Sequence, residues 1–197
     1  AVDLLDRLGV PAFKVASFEL VDISLIQYIA RRKKPLLMSS GMASLEEIGD
    51  AIEAVKSVGN NEILLFHCIS SYPAPVSESN LNMITTLRRE FKIQVGLSDH
   101  TVGNLASLLA TSLGATAIEK HFTISKSDGG VDSSFSVEPD EMKALVKDSK
   151  KAFSALGSRS FVRSNFEEGS KIFRRSLYFV SDIKAGDIIT PNCVRRI

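Results

Sequence analysis

The feature that most constrains this chain is a fivefold alternation. Short apolar runs, FKVAS (13–17), PLLMSS (35–40), EILLFHCIS (62–70), IQVGLS (93–98) and TAIEKHF (116–122), are separated by stretches with helical spacing. The runs are nearly continuous in apolar residues rather than alternating, as in strands covered on both faces. Such strands, separated by single helices, form parallel βα units, because a parallel neighbour is reached only through a crossover. The intervening segments carry helix punctuation. In SLEEIGDAIEAVKSVG (44–59), Ser44 and Glu47 have capping-box spacing and Gly59 is a stop. DISLIQYIARRK, LNMITTLRREF and GNLASLLATSLG read as the helices after the first, third and fourth runs, the last ending on Gly114. In PDEMKALVKDSKKAFSALG (139–157), Pro139 stands at a first helical position and Gly157 at the end.

Two architectures accommodate this order: an open doubly wound sheet, or a (β/α)₈ barrel. The phosphate-loop patterns GxGxxG and GxxxxGK[ST] follow none of the runs, which counts against nucleotide-binding open sheets. A barrel needs eight strands and about 250 residues. The chain opens AVDLLDRLG without Met. The expectation is therefore the C-terminal five βα units of a barrel, with the first three units and the true N-terminus elsewhere. Alone, such a piece would have two open sheet edges. After residue 157 the pattern changes. SRSFVRSNFEEGSKIF (158–173) is polar with weak periodicity and reads as a linker. RRSLYFVSDIKAGDIITPNCVRRI (174–197) reads as strand, a turn at Lys184, Ala185 and Gly186, and strand, the start of a small β-rich domain.

Polar residues gather where the runs end. The first carries Lys14 and ends in Ser17, with Glu19 beyond Phe18; the second ends in Ser39, Ser40 and Gly41; the third in Ser70, Ser71 and Tyr72. The fourth ends in Ser98, Asp99 and His100, and the fifth carries Glu119, Lys120 and His121. In parallel βα folds this C-terminal rim is where sites are built. Each residue also has a structural reading. Ser39, Ser98 or Asp99 can cap the following helix. Lys14 can snorkel or pair with Glu19, or its ammonium can meet an anionic ligand. His67, inside its run, fits a hydrogen-bonded core residue. His100 and His121 end sequential strands about 4.8 Å apart and can converge on one ion, leaving open positions that suit catalysis. The Gly- and Ser-rich segment SDGGVDSSFS (127–136), with Asp132 at its tip, is long enough to cover a site.

Composition narrows the classes. The 197 residues are 44% hydrophobic with a formal charge of +1, enough for a sizeable core and no electrostatic case for nucleic acid or a charged membrane. No apolar stretch approaches a membrane span. Cys68 and Cys193 make no disulfide framework, and the chain reads as cytoplasmic.

KVASFE, SSGMAS, SSYPAP, GLSDHT, IEKHF and GGVDSSFSVEP together closely resemble the sialic acid synthase family, in order and over nearly the whole chain. The resemblance implies condensation of phosphoenolpyruvate with an amino-sugar and water to give a nonulosonic acid and phosphate. It implies that Lys14, Ser17, Ser39, Ser70 and Ser98 hold phosphoenolpyruvate, that His100 and His121 bind a divalent metal (manganese or magnesium), and that Glu19, Tyr72 and Asp132 face the sugar. His100, His121 and Glu19 are the expected catalytic set. KVASFE, with Phe18, and Ser70 in place of Asn look most like pseudaminic acid synthases, with the neuraminate and legionaminate enzymes as alternatives and a non-catalytic carbohydrate-binding module as a rival from another class. For pseudaminate the sugar is a 2,4-diacetamido-2,4,6-trideoxy hexose. The tail resembles the opening of the family's antifreeze-like (SAF) domain, which implies a domain-swapped homodimer for the full-length protein. The expected division is a partial barrel (1–157, strands four to eight), the linker (158–173) and the start of the SAF domain (174–197), a piece expected to be inactive by itself.

Overall fold

A computed structural model describes residues 1–158, 160–161 and 163–197. Two residues of the expected linker, 159 and 162, lie outside the described residues. The chain divides into two compact units, Ala1–Gly157 and Ser158–Ile197.

In the first unit every apolar run contains a strand: β1 (Phe13–Val15), β2 (Leu36–Ser39), β3 (Ile63–His67), β4 (Gln94–Asp99) and β5 (Ile118–Lys120). All neighbours are parallel, in the order β1-β2-β3-β4-β5. That order decides between the two architectures. A doubly wound sheet reverses direction at a switch point, whereas a barrel adds each strand beside the last. The sheet is a curled parallel half-barrel. Helices α2 (Ile23–Ala30), α3 (Leu45–Ser57), α4 (Asn82–Phe91), α5 (Leu105–Ser112) and α6 (Pro139–Ala155) follow the strands in turn. The core lies between sheet and helices: Val15, Leu36, Met38, Leu65 and Val95 are buried with Ile26, Ala51, Ile52, Val55 and Leu87 from the helices. Ser44 Oγ accepts from Glu47 N while Glu47 Oε2 accepts from Ser44 N, so the expected box starts α3. Gly59 at φ +74° follows its C-terminus. Pro139 opens α6 behind a Glu138/Glu141 box.

One element has no counterpart in the sequence reading. Helix α1 (Val2–Arg7) precedes the first run and buries none of its residues. Polar ties hold it: Tyr28 Oη donates to Asp3 at 2.6 Å, and Lys34 Nζ donates to Asp6 at 2.9 Å.

His67 is the core residue its position implies. It is buried, with Nε2 2.8 Å from the Ser79 carbonyl. Burial holds its imidazole below the ordinary value, partly opposed by that hydrogen bond. The unfolded chain takes up this proton near pH 6.5 and the folded chain resists it. The stability is therefore complete above about pH 6.5 and falls as the pH drops toward the depressed folded value. Urea midpoints between pH 7 and 5 should fall more steeply for the parent than for His67→Leu; parallel slopes would contradict this.

In the second unit, Asn165–Phe173 forms 3₁₀ turns where the sequence reading has only linker. The reason is a local cap: Ser164 Oγ accepts from Phe166 N at 3.2 Å and Glu167 Oε2 accepts from Ser164 N at 3.0 Å. Strands β6 (Leu177–Phe179) and β7 (Val194–Arg196) pair antiparallel. The turn is where expected, with Asp187 N donating to the Lys184 carbonyl. The paired strand does not follow it directly. Pro191 has no N–H for a ladder, and a further turn, Cys193 N to the Thr190 carbonyl at 3.1 Å, precedes β7.

Candidate active site

A cleft of about 170 Å³ opens among the strand ends and is lined by residues that include Lys14, Ser17, Phe18, Ser39, Tyr72, Ser98, His100, Glu119 and His121. These come from all five strands or the residues just beyond them. A parallel sheet directs its strand C-termini to one rim, and the curl turns a row of ends into a concave surface. Ser70 stands at the edge, its Oγ 3.0 Å from Ser17 Oγ. Glu19 closes a 3₁₀ turn, Ser17–Glu19, and is exposed outside the residues that line the cleft. Gly41 makes the serine pair possible. At φ +48° it lies so near that a β-carbon there would stand 2.3 Å from Ser17 Cβ.

His100 lies one residue beyond β4. Its Nδ1 is 2.7 Å from the Ile69 carbonyl, which accepts only from a protonated nitrogen. The neutral ring therefore carries hydrogen on Nδ1 and leaves the Nε2 lone pair beside Ser98 Oγ, 3.2 Å away. Burial pushes this imidazole below its usual range, with the Ile69 bond opposing and the neighbouring His121 adding to the depression. His121 lies one residue beyond β5, its ring centroid 5.3 Å from that of His100. Its Nδ1 is 3.4 Å from Asp132 Oδ2, a carboxylate placement that favours Nδ1–H and frees Nε2 for a metal. The Tyr72 ring lies tilted against His100, centroids 4.4 Å apart, and edge-on to His121 at 5.7 Å.

The 127–136 segment is tied down beside these rings. Phe135 is buried with its ring 5.0 Å from His121, and Val137 N donates to the His121 carbonyl at 2.8 Å. Among the described residues, no group of three or more His, Cys, Asp and Glu side chains is arranged to hold an ion. Two imidazoles lining one cleft, each with Nδ1 engaged elsewhere, fit a metal that displaces Ser98 Oγ from His100 Nε2 and takes its remaining positions from water or substrate.

Three structural alternatives open in the sequence are not realised. Lys14 does not pair with Glu19. Its ammonium meets the Glu119 carboxylate, which also accepts from Ser98 Oγ at 2.7 Å. Burial raises the Glu119 carboxyl, but the bonds from Lys14 and Ser98 outweigh it and hold the group below the carboxylate range. Sequence reasoning did not count Glu119 as a site residue. The available signal was its place in a run ending in His121, beside Ser98 in strand register. Asp99 does not cap a helix either: the residue at the N-cap of α5 is Asn104. Asp99 faces Lys120 at 2.9 Å, both side chains almost wholly buried, and accepts from Ser107 Oγ at 2.5 Å and Thr101 N at 2.9 Å. Ser39 likewise leaves the capping of α3 to Ser44.

The fold and its rim define a curled parallel βα half-barrel whose cleft opens at the C-terminal strand ends. The chain belongs to the NeuB family, whose profile matches residues 1–161. It is 40% identical over 198 residues to the pseudaminic acid synthase of Helicobacter pylori, covering 100% of this chain and 58% of that protein. It is also 40% identical over 193 residues to the N,N'-diacetyllegionaminic acid synthase of Campylobacter jejuni, covering 96% of this chain and 58% of that protein. The crystal structure of an N-acetylneuraminic acid synthetase from Leptospira borgpetersenii, in complex with citrate, superposes with a TM-score of 0.82 at 32% identity. That match covers 88% of this chain and 60% of the other. The chain thus spans under two thirds of the length of these relatives. Among the described residues no helix is long and apolar enough to cross a membrane.

Proposed function

We propose that this chain carries the last five βα units of a cytoplasmic pseudaminic acid synthase, which joins phosphoenolpyruvate to a 2,4-diacetamido-2,4,6-trideoxy hexose and releases phosphate. The observation that carries the reading is one cleft holding a lysine, three serine hydroxyls and two imidazoles. Lys14 supplies the cation that a phosphorylated carboxylate needs, and Ser17, Ser39 and Ser98 supply neutral donors around it. Ser70 supports Ser17 from the edge. His100 and His121 would hold the divalent metal, manganese or magnesium, through their Nε2 atoms. When bound, that ion supplies Lewis-acid polarisation of the sugar carbonyl. Tyr72, beside both imidazoles, and Asp132, behind His121, face the sugar side. Glu19, exposed outside the cleft lining, would have to approach the sugar from the outer edge of the rim. Holding two reactants together in this fixed frame is the main contribution of the protein to rate.

Identity alone does not choose the sugar, since a pseudaminate and a legionaminate synthase match equally at 40%. Phe18 and Ser70 support pseudaminate. Phe18 lines the cleft with 63% of its surface exposed, an apolar wall for a deoxy carbon or acetamido methyl. Phe18→Gly is expected to shift preference from the trideoxy sugar toward N-acetylmannosamine, read as the ratio of kcat/KM values; an unchanged ratio would remove Phe18 from the specificity wall. Residues 174–197 open a SAF-like domain in this reading, and the full-length protein works as a swapped homodimer. The deciding experiment incubates full-length protein with phosphoenolpyruvate, manganese and a panel of amino-sugars, then identifies the product by mass. Release of phosphate with no sugar dependence would sink the proposal.

A further inference from the structure

We propose that Glu119 is an internal anion that holds the place of the substrate's anionic group and sets the affinity of the cleft for phosphoenolpyruvate and for phosphate. The inference rests on the reading of the cleft given above and deepens it. Lys14 comes from β1 and Glu119 from β5, the two outer strands of the sheet. Only its curl brings them together. The Glu119 oxygen that accepts from Lys14 also accepts from Ser98 Oγ at 2.7 Å. These donors are two of those assigned to the substrate anion.

A serine hydroxyl has one hydrogen, so Ser98 cannot donate to Glu119 and to a phosphate at once. Two anions in one partly buried cleft also repel. A substrate anion must therefore displace the carboxylate from Ser98 and share or take the Lys14 ammonium. The arrangement has two effects. In the free cleft, Glu119 keeps Lys14 paired above the Phe66 ring, 5.0 Å from its centroid, and oriented for an anion. After reaction, the returning carboxylate competes with inorganic phosphate and favours its release.

The test is calorimetric titration of the full-length protein with inorganic phosphate and, separately, phosphoenolpyruvate. Glu119→Gln keeps the size and an acceptor for Ser98 while removing the charge. It is expected to bind both ligands roughly tenfold more tightly than the parent. Glu119→Asp keeps the charge but shortens the reach. It should show a smaller tightening, and it serves if the glutamine variant does not fold. Weaker binding by either folded variant would make Glu119 a support for Lys14 rather than its competitor, and equal binding would show that it does not compete; both overturn the proposal. Lys14→Met separates the two levels. If the parent binds phosphoenolpyruvate and Lys14→Met does not, the cleft is read correctly whatever Glu119 does. If neither parent nor variant binds it, the reading of the cleft fails first.

Discussion

Asp99→Asn is expected to destabilise the full-length protein by about 3–5 kcal/mol, a large effect for a substitution that barely changes shape. The Asp99 and Lys120 side chains are 0% and 1% exposed and lie 2.9 Å apart. Removing one charge leaves the other buried without a counter-ion, which is far costlier than never burying the pair. The amide oxygen can still accept from Thr101 N, but its NH2 then faces Lys120 and Ser107, so the loss combines the charge with the Ser107 hydrogen bond. Lys120→Met should show a similar deficit, and the double variant should lose clearly less than the sum of the two. Urea denaturation with unchanged m-values measures all three. A loss below about 1 kcal/mol for Asp99→Asn would place the pair among exposed ion pairs, against its burial.

Gly41→Ala is expected to spare most of the fold and disable the anion end of the cleft. The backbone at φ +48° costs a non-glycine residue about 1–2 kcal/mol. The larger effect is steric. The new methyl would stand 2.3 Å from Ser17 Cβ and 2.8 Å from Ser70 Oγ, so one strand end must move. Losing aligned donors to a charged ligand corresponds to roughly a tenfold to hundredfold rise in KM for phosphoenolpyruvate. Gly129→Ala is the matched control. It shares a positive φ, +72°, but a β-carbon there meets nothing within 4 Å, so only the backbone cost should appear. Equal kinetic damage from both substitutions would refute the steric account.

How far these features could be read from sequence depends on the range of the interactions behind them. The strands and the Ser44 and Pro139 helix starts follow from local rules, and they stand where those rules put them. Their barrel-like order was one of two open choices, because strand adjacency is a long-range property. Lys14, Ser39, Ser98, His100 and His121 were visible because polar groups ending apolar runs are locally anomalous. Glu119 looked no different from its neighbours, since its partner Lys14 lies at the opposite edge of the sheet. Asp99 was illegible for the same reason: a short acid beside a turn resembles a cap until Lys120 of the next strand is seen against it. Helix α1 escaped because it buries none of its residues and depends on ions carried by a later segment.

The partner of His100 Nδ1 is a main-chain oxygen, that of Ile69. Every residue type at position 69 offers that same carbonyl. The proton location on the ring is thus written into the path of the chain and not into its side chains. A saturation scan of position 69 would report tolerance there while the most influential neighbour of the imidazole stayed untouched. A change that re-routes the backbone, such as an inserted or deleted residue between β3 and Tyr72, would turn the ring's unprotonated nitrogen away from the cleft.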